Sequence, residues 1–284
     1  ASRTRVVFAT DNGTVCALAR PTGELLWEVE TGAAVRCPPL IAGNAVYVGS
    51  DDGNLYAFSL DTGAERWRVA AGAPVNSGCA LVKNTLVFGT VDGDVFAVDP
   101  ATGRLRWPAR SVGMPVFGQP VAMGEFVAVP TDGGAVIVME PNTGRQVSRL
   151  TIPGYGLVRS APVIDEARLY AATTDGWVAA FDRASRKPVW ARRVGHDLSA
   201  GPALDDGYLY CGDGRAGLVV VDKHEGRVVQ RWQCPADVRG SVVVVRGMVL
   251  VATGDGQVVA YRAPTPRHVK KLPAGKVRTK KNPA

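Results

Sequence analysis

The sequence predicts an all-β chain, a wheel of about seven small sheets of four strands each. Three observations carry that prediction. A Thr-Gly turn recurs about every forty residues, a Trp follows four of these turns or their degenerate copies at a fixed distance, and the intervening apolar runs alternate or are β-branched. A four-stranded unit of this length, repeated this often, is the sequence pattern of a β-propeller blade.

The outer turn of each unit falls at Thr22–Gly23, Thr62–Gly63, Thr102–Gly103 and Thr143–Gly144, with degenerate copies at Ser185–Arg186 and Glu225–Gly226. Successive second positions are 40, 40, 41, 42 and 40 residues apart. Four residues beyond stand Trp27, Trp67, Trp107 and Trp190, while Ser148 and Gln230 break the pattern and Trp232 comes two places late. A second Gly turn precedes each outer turn: DNG at 11–13, DDG at 51–53, VDG at 91–93, TDG at 131–133, TTDG at 173–176 and GDG at 254–256. The sixth copy is blurred into GDGRAG at 212–217. Gly, Asn and Asp tolerate positive φ or bond their own backbone, as tight links between antiparallel strands require.

Between the turns lie runs such as AVYVGS, NLYAFSL, TLVFGT, DVFAVD, WVAAFD and QVVAY, each a strand of five to seven residues. The second unit reads as strands at 36–41, 45–50, 54–59 and 64–69. Apolar residues on both phases of the central strands imply sheets covered on both faces, as radial packing provides. The tryptophans are expected to be blade-docking residues, each covering its own hairpin turn and the apolar face of the adjacent blade.

The first copy begins at VVFAT, which corresponds to the second strand of a unit. Either that blade has three strands or one was lost upstream, as in a piece excised from a longer polypeptide. The last copy holds SVVVVRG, MVLVAT and QVVAY, and RHVKKL at 267–272 stands where its outer strand belongs. Residues 1–272 therefore read as one propeller and 273–284 as a basic tail.

The formal charge of +7 resides at the C-terminal end. Seven of the 33 basic residues lie between Pro264 and Ala284 with no acid among them, so the body is neutral. Such a tail can contact an anionic surface, but no specific nucleic-acid binding is expected. No uncharged apolar run approaches 18 residues, the length a membrane-spanning helix needs. The five cysteines are scattered and never form CxxC, so no metal site is expected and small buried thiols are the reading. His196, His224 and His268 lie in different units without a ligand-spaced partner, and no catalytic motif stands in its required context.

The stretch AVDPATGRLRW at 97–107 resembles the repeat of the pyrroloquinoline-quinone-like (PQQ-like) propellers, A-x-D-x-x-T-G-x-x-x-W. Ala17 to Trp27 and Ala57 to Trp67 match except that Ala19 and Ser59 replace the Asp, and Ala180, Asp182 and Trp190 keep the frame. The resemblance runs from about residue 5 to residue 262. It implies a bacterial propeller of one of three kinds: a quinone-dependent dehydrogenase, a lipoprotein scaffold of outer-membrane assembly, or an extracellular domain of a serine/threonine kinase. The alcohol dehydrogenases of the family carry adjacent cysteines and long insertions, which this chain lacks. No cofactor is therefore expected, and the chain reads as no enzyme.

Chemistry is expected at the ring of innermost strands, whose second positions read Arg36, Asn76, Phe117, Arg159, Ser199 and Arg239. In a propeller such equivalent positions converge on one axial funnel. Arg presents a planar fork suited to carboxylate or phosphate, so the funnel is expected to hold a protein or an acidic small ligand. The function that follows is a non-catalytic, extracytoplasmic binding module, read first as the sensing propeller of a larger bacterial protein such as a Ser/Thr kinase. The alternative is a self-standing scaffold of an envelope complex, and the third reading is a quinone enzyme.

Overall fold

The computed structural model describes Ser2 and residues 4–215, 217–238 and 240–264. These residues form seven antiparallel sheets in chain order, with no helix among them. The first sheet holds β1 (Arg5–Ala9), β2 (Thr14–Ala19) and β3 (Leu25–Glu30); the second holds β4 (Leu40–Ala42), β5 (Ala45–Gly49), β6 (Asn54–Ser59) and β7 (Glu65–Ala70). The third comprises β8 (Cys79–Val82), β9 (Thr85–Gly89), β10 (Asp94–Val98) and β11 (Arg110–Ser111); the fourth β12 (Val121–Met123), β13 (Phe126–Thr131), β14 (Ala135–Met139) and β15 (Gln146–Thr151). The fifth contains β16 (Val163–Ile164), β17 (Arg168–Ala172), β18 (Trp177–Asp182) and β19 (Pro188–Arg193). The sixth contains β20 (Pro202–Leu204), β21 (Tyr208–Asp213), β22 (Gly217–Asp222) and β23 (Val228–Gln233). The last sheet has β24 (Val243–Val245), β25 (Met248–Ala252) and β26 (Val258–Arg262).

The all-β propeller of about seven blades is what forms, and the first blade has three strands among the described residues. The strand read at 267–272 and the tail at 273–284 lie outside the described residues. The innermost strands start later than the sequence suggests: β4 begins at Leu40, not at residue 36. Pro38 and Pro39 precede it, and proline cannot donate to a ladder.

Burial follows from the two-phase apolar pattern. All five residues of β5, β9 and β14 are buried. Six apolar clusters fill six successive seams between sheets. In the first, Val15, Ala17 and Trp27 meet Val46, Tyr56 and Phe58; in the last, Tyr210 and Val220 meet Val249 and Val251.

The tryptophans clamp those seams in a way the sequence reading placed wrongly. Each ring covers the outer turn of the following sheet, not its own. Trp27 donates its indole N–H to Leu60 O at 2.9 Å, and Trp107 donates to Pro141 O at 2.9 Å. Trp67 and Trp190 donate likewise to Pro100 O and Lys223 O, each at 3.2 Å. A Cβ added to Gly63, Gly103, Gly144 or Gly226 would stand within 2.9 Å of the ring above it. All four have φ near +70°, so the turn and the indole each demand glycine. Trp107 also departs from the expected outer strand, because Pro108 interrupts pairing and β11 resumes only at Arg110.

Two departures from the repeat are coupled. Ser148 replaces the fourth Trp, and the turn it would have covered carries Arg186 instead of glycine, with its guanidinium over Phe126 at 5.3 Å. The displaced Trp232 stacks instead on Tyr261 of the last sheet, centroids 4.9 Å apart, and on Tyr210.

Candidate functional site

The linker from each outer strand to the next inner strand follows one plan. An apolar anchor (Val35, Val75, Val116, Val158, Leu198 or Val238) is buried between two turns. The N–H groups of Val75 and Val116 donate to Ser50 O and Thr90 O at 3.0 Å. On the other side Asp51, Val91 and Asp132 donate their N–H groups to Ala34 O, Pro74 O and Pro115 O of the linkers. Room for the anchor comes from glycine: a Cβ on Gly49 or Gly89 would stand 2.5 Å from Val75 or Val116. The residue after the anchor is thereby turned toward the axis.

Five of the six sequence-derived residues, Arg36, Asn76, Phe117, Arg159 and Ser199, line one axial cavity of about 240 Å³. Arg239 lies outside the described residues. The five sit on the linkers ahead of the inner strands, so the expected convergence arises from loops pinned by buried anchors. Gln119 and Ser160 also line the cavity, the former donating Nε2–H to Cys79 O at 2.9 Å.

The arginines are not free. Arg36 Nε donates to Asp51 Oδ2 at 2.9 Å, and its Nη1 lies 3.6 Å from Asp11. Arg159 donates to both oxygens of Asp132, at 3.0 Å to Oδ2, and its guanidinium lies 5.1 Å from the centre of the Phe117 ring. The two Arg side chains remain 53% and 48% exposed, whereas Asp132 is only 9% exposed. The hydrogen bond to Asp51 holds the Arg36 guanidinium above its ordinary range.

Sequence reasoning missed Asp51 and Asp132 because both stand in Gly turns that turn geometry already explains. In fact the paired aspartates of the DDG turn divide the work. Asp52 accepts N–H bonds from Gly32 and Asn54, which is turn chemistry, and Asp51 takes the arginine. The available signal was positional: these turns and the linkers share one face of the wheel.

Buried acceptors complete the mouth. Asn76 Oδ1, Ser160 Oγ and Asp51 Oδ1 have no protein hydrogen-bond partner. The mouth therefore sets half-exposed guanidinium donors over a polar lining that includes Asn76, Gln119 and Ser160, and the donors suit the carbonyls and carboxylates of a polypeptide. Cys37 also lines it, but burial pushes its thiol up, which keeps it protonated and unreactive. No cluster of three His, Cys, Asp or Glu side chains able to hold a metal occurs among the described residues.

This geometry defines a β-propeller whose linkers build a polar axial mouth on one face. The chain belongs to the family whose model is described as outer membrane protein assembly factor BamB, which matches residues 1–116, 109–196 and 174–268. Among curated relatives, the outer membrane protein assembly factor BamB of Burkholderia pseudomallei is 29% identical over 121 residues, 43% of this chain and 32% of the relative. That of Bordetella pertussis is 34% identical over 110 residues, 39% of this chain and 28% of the relative. The matched stretch thus spans about a third of those relatives. The crystal structure of BamB from Moraxella catarrhalis superposes with a TM-score of 0.77 at 22% identity, covering 91% of this chain and 82% of that one. The computationally designed Ika8 protein gives 0.80 at 17%, covering 92% and 81%. These two likenesses speak for the fold.

Proposed function

We propose that the chain is a non-catalytic scaffold that binds a protein partner in outer-membrane assembly. The observation that carries this reading is the mouth: half-exposed guanidinium groups over a polar cavity, on linkers pinned by buried anchors, suited to a polypeptide surface. The family match supports this scaffold reading over the kinase-linked sensor that the sequence put first. It also favours an extracytoplasmic setting, since outer-membrane proteins are assembled outside the cytoplasm.

The partner docks on the face bearing Arg36 and Arg159. An acidic side chain of that partner exchanges with the exposed Asp11 on Arg36. The funnel as a site for an acidic small metabolite is weaker, because the family match favours a protein partner.

Photo-crosslinking tests the reading. A photoreactive amino acid replacing Ser199 at the mouth, in cells that carry the gene, is expected to capture a protein of the outer-membrane assembly machinery. Capture should fall at least fivefold with Arg36→Ala and Arg159→Ala together. Adducts confined to cytoplasmic proteins, or unaffected by the double substitution, would count against it.

A further inference from the structure

In three sheets the residue two places beyond the clamping position is an aliphatic seam filler. Val29 and Val69 stand there after Trp27 and Trp67, and Leu150 does so in the fourth sheet, where Ser148 replaces the Trp. All three pack with the apolar cluster of their seam. In the fifth sheet the same position is Arg192. Residues two apart on a strand share a face, so Arg192 is on the face of Trp190, whose ring lies on Gly226 of the sixth sheet. A charged head thus stands where other seams are closed by a hydrocarbon side chain.

A groove of about 450 Å³ opens at that point, between β19 and the hairpin that leads into β23. Arg192, Arg193 and Arg227 line it together with Glu225. Val194 and Val228, which belong to the apolar packing of this seam, supply a hydrocarbon wall.

The backbone anchors these guanidinium groups and leaves their charge uncompensated. Arg192 Nη1 donates to Ala191 O at 2.9 Å, and Arg193 Nε donates to Asp175 O at 3.1 Å. Arg231 Nη2 donates across the seam to Val194 O at 2.6 Å and ties the two walls together. Among the described residues none of these three pairs with a carboxylate, whereas Arg68, Arg106 and Arg145 of other outer strands and hairpins hold Glu65, Asp99 and Glu140. Arg227 lies 3.6 Å from Glu225, and both side chains are mostly exposed. Three arginines against one glutamate leave the lining with a formal charge of +2.

We propose that the groove between β19 and β23 binds a phosphate monoester. The phosphate sits among Arg192, Arg193 and Arg227, and its carbon skeleton rests on Val194 and Val228. A guanidinium fork grips phosphate oxygens in pairs. A phosphate monoester carries about −1.5 to −2 charges at neutral pH, which matches the surplus of the lining where a lone carboxylate would not. The site belongs to the outer strands, on the rim of the wheel, and is independent of the axial mouth.

The probe is glycerol 3-phosphate, titrated calorimetrically into the full chain. Vesicles of phosphatidylcholine containing phosphatidic acid present the same monoester on a membrane, and flotation reads their binding. Saturable binding of one ester per chain is expected, with a Kd that rises at least tenfold in Arg192→Val and in Arg227→Gln. Arg192→Val installs the residue found at Val29 and Val69, so its urea midpoint should equal or exceed that of the wild type, and its lost binding is not lost folding. Vesicle binding that free glycerol 3-phosphate displaces makes a lipid headgroup the source of the ester, and binding of the free ester alone makes it a soluble compound. Arg66→Gln, on the outer strand of the second sheet, removes the same charge elsewhere and should leave the Kd unchanged. An equal loss with Arg66→Gln would reduce the attraction to net charge and overturn the proposal. Binding of neither probe, or binding unchanged by Arg192→Val, overturns it as well. A glutamate-rich peptide that binds more tightly than the ester overturns it in favour of a protein.

Discussion

The indole of Trp67 lies on Gly103 of the following sheet, so close that a Cβ on that glycine would stand 2.8 Å from Cδ2. One sheet's outer strand is thereby locked to the next sheet's outer turn, and the lock recurs around the wheel. Gly103→Ala meets both a φ of +70° and the ring, whereas Gly43→Ala, at φ +58°, meets nothing within 4 Å. Backbone strain alone costs about 1 kcal/mol, and overpacking adds about 1–3 kcal/mol. Urea denaturation should therefore rank Gly103→Ala about 2–4 kcal/mol below wild type and Gly43→Ala about 1 kcal/mol below. Equal losses would show that the ring does not rest there.

Truncating the ring is the complementary measurement. Trp107→Ala removes a buried indole and its N–H bond to Pro141 O, an expected loss of about 3–5 kcal/mol. Combined with Gly144→Ala it should cost less than the two single losses added, since the alanine methyl then enters the space the ring left. Strict additivity would separate the two residues energetically.

These locks explain what could be read before the fold was seen. The repeat period, the turns and the strands depend on local chemistry, so AVDPATGRLRW announces its hairpin by itself. The partner of Trp107 does not, because Pro141 and Gly144 come from the next unit and only sheet packing brings them near. The axial residues lie between these cases. Arg36 and Arg159 share a repeat position, and symmetry puts them in one cavity, but Asp51 and Asp132 stand in Gly turns whose sequence already accounts for an Asp. The exposure of Val258 and Phe8 was invisible, because both read like any other apolar strand residue until the sheets are seen.

The ion pairs at the mouth differ in what their loss leaves behind. Arg36→Ala strands Asp51, whose side chain is 25% exposed, and the urea midpoint should move less than with Arg159→Ala. Arg159→Ala strands Asp132 at 9% exposure, where an unsatisfied polar group costs about 1–3 kcal/mol and a charged one more. Arg159→Ala together with Asp132→Asn should recover most of that loss. If Arg36→Ala is the more damaging change, the burial order of the two carboxylates is not what governs the mouth.

Stability should fall in acid for an identifiable set of carboxylates. Burial alone would push Asp52 and Asp165 up, but Asp52 receives bonds from the Tyr56 hydroxyl and two N–H groups, and Asp165 from the Arg168 and Ala167 N–H groups and Lys223. Both end below the usual carboxylate range. A carboxyl depressed in the folded state adds stability that is fully present above its unfolded value of about 3.9 and is lost as pH drops through the folded value. The urea midpoint should stay flat from pH 7 to 5 and decline below about 4. Asp52→Asn should lower the plateau and soften the decline, and a decline unchanged by it would assign the acid sensitivity elsewhere.

The thiols provide the last check on how tightly the sheets close. Cys79 and Cys211 sit in strands whose seams are sealed, and burial pushes Cys211 up to about 12 and Cys79 well above the ordinary thiol value. A thiol must ionise to attack a disulfide reagent, so neither should react with Ellman's reagent at pH 8 while the wheel is folded. Cys16 is different in kind. It is buried on the face of the first sheet turned away from the second, opposite Phe8 and Glu28 in register, with burial as the main cause of its raised value. Local opening of that face should expose it first, so native-state labelling should appear at Cys16 ahead of the others. Simultaneous labelling of all five thiols would instead mean that the sheets come apart in one global step, that face offering no local route.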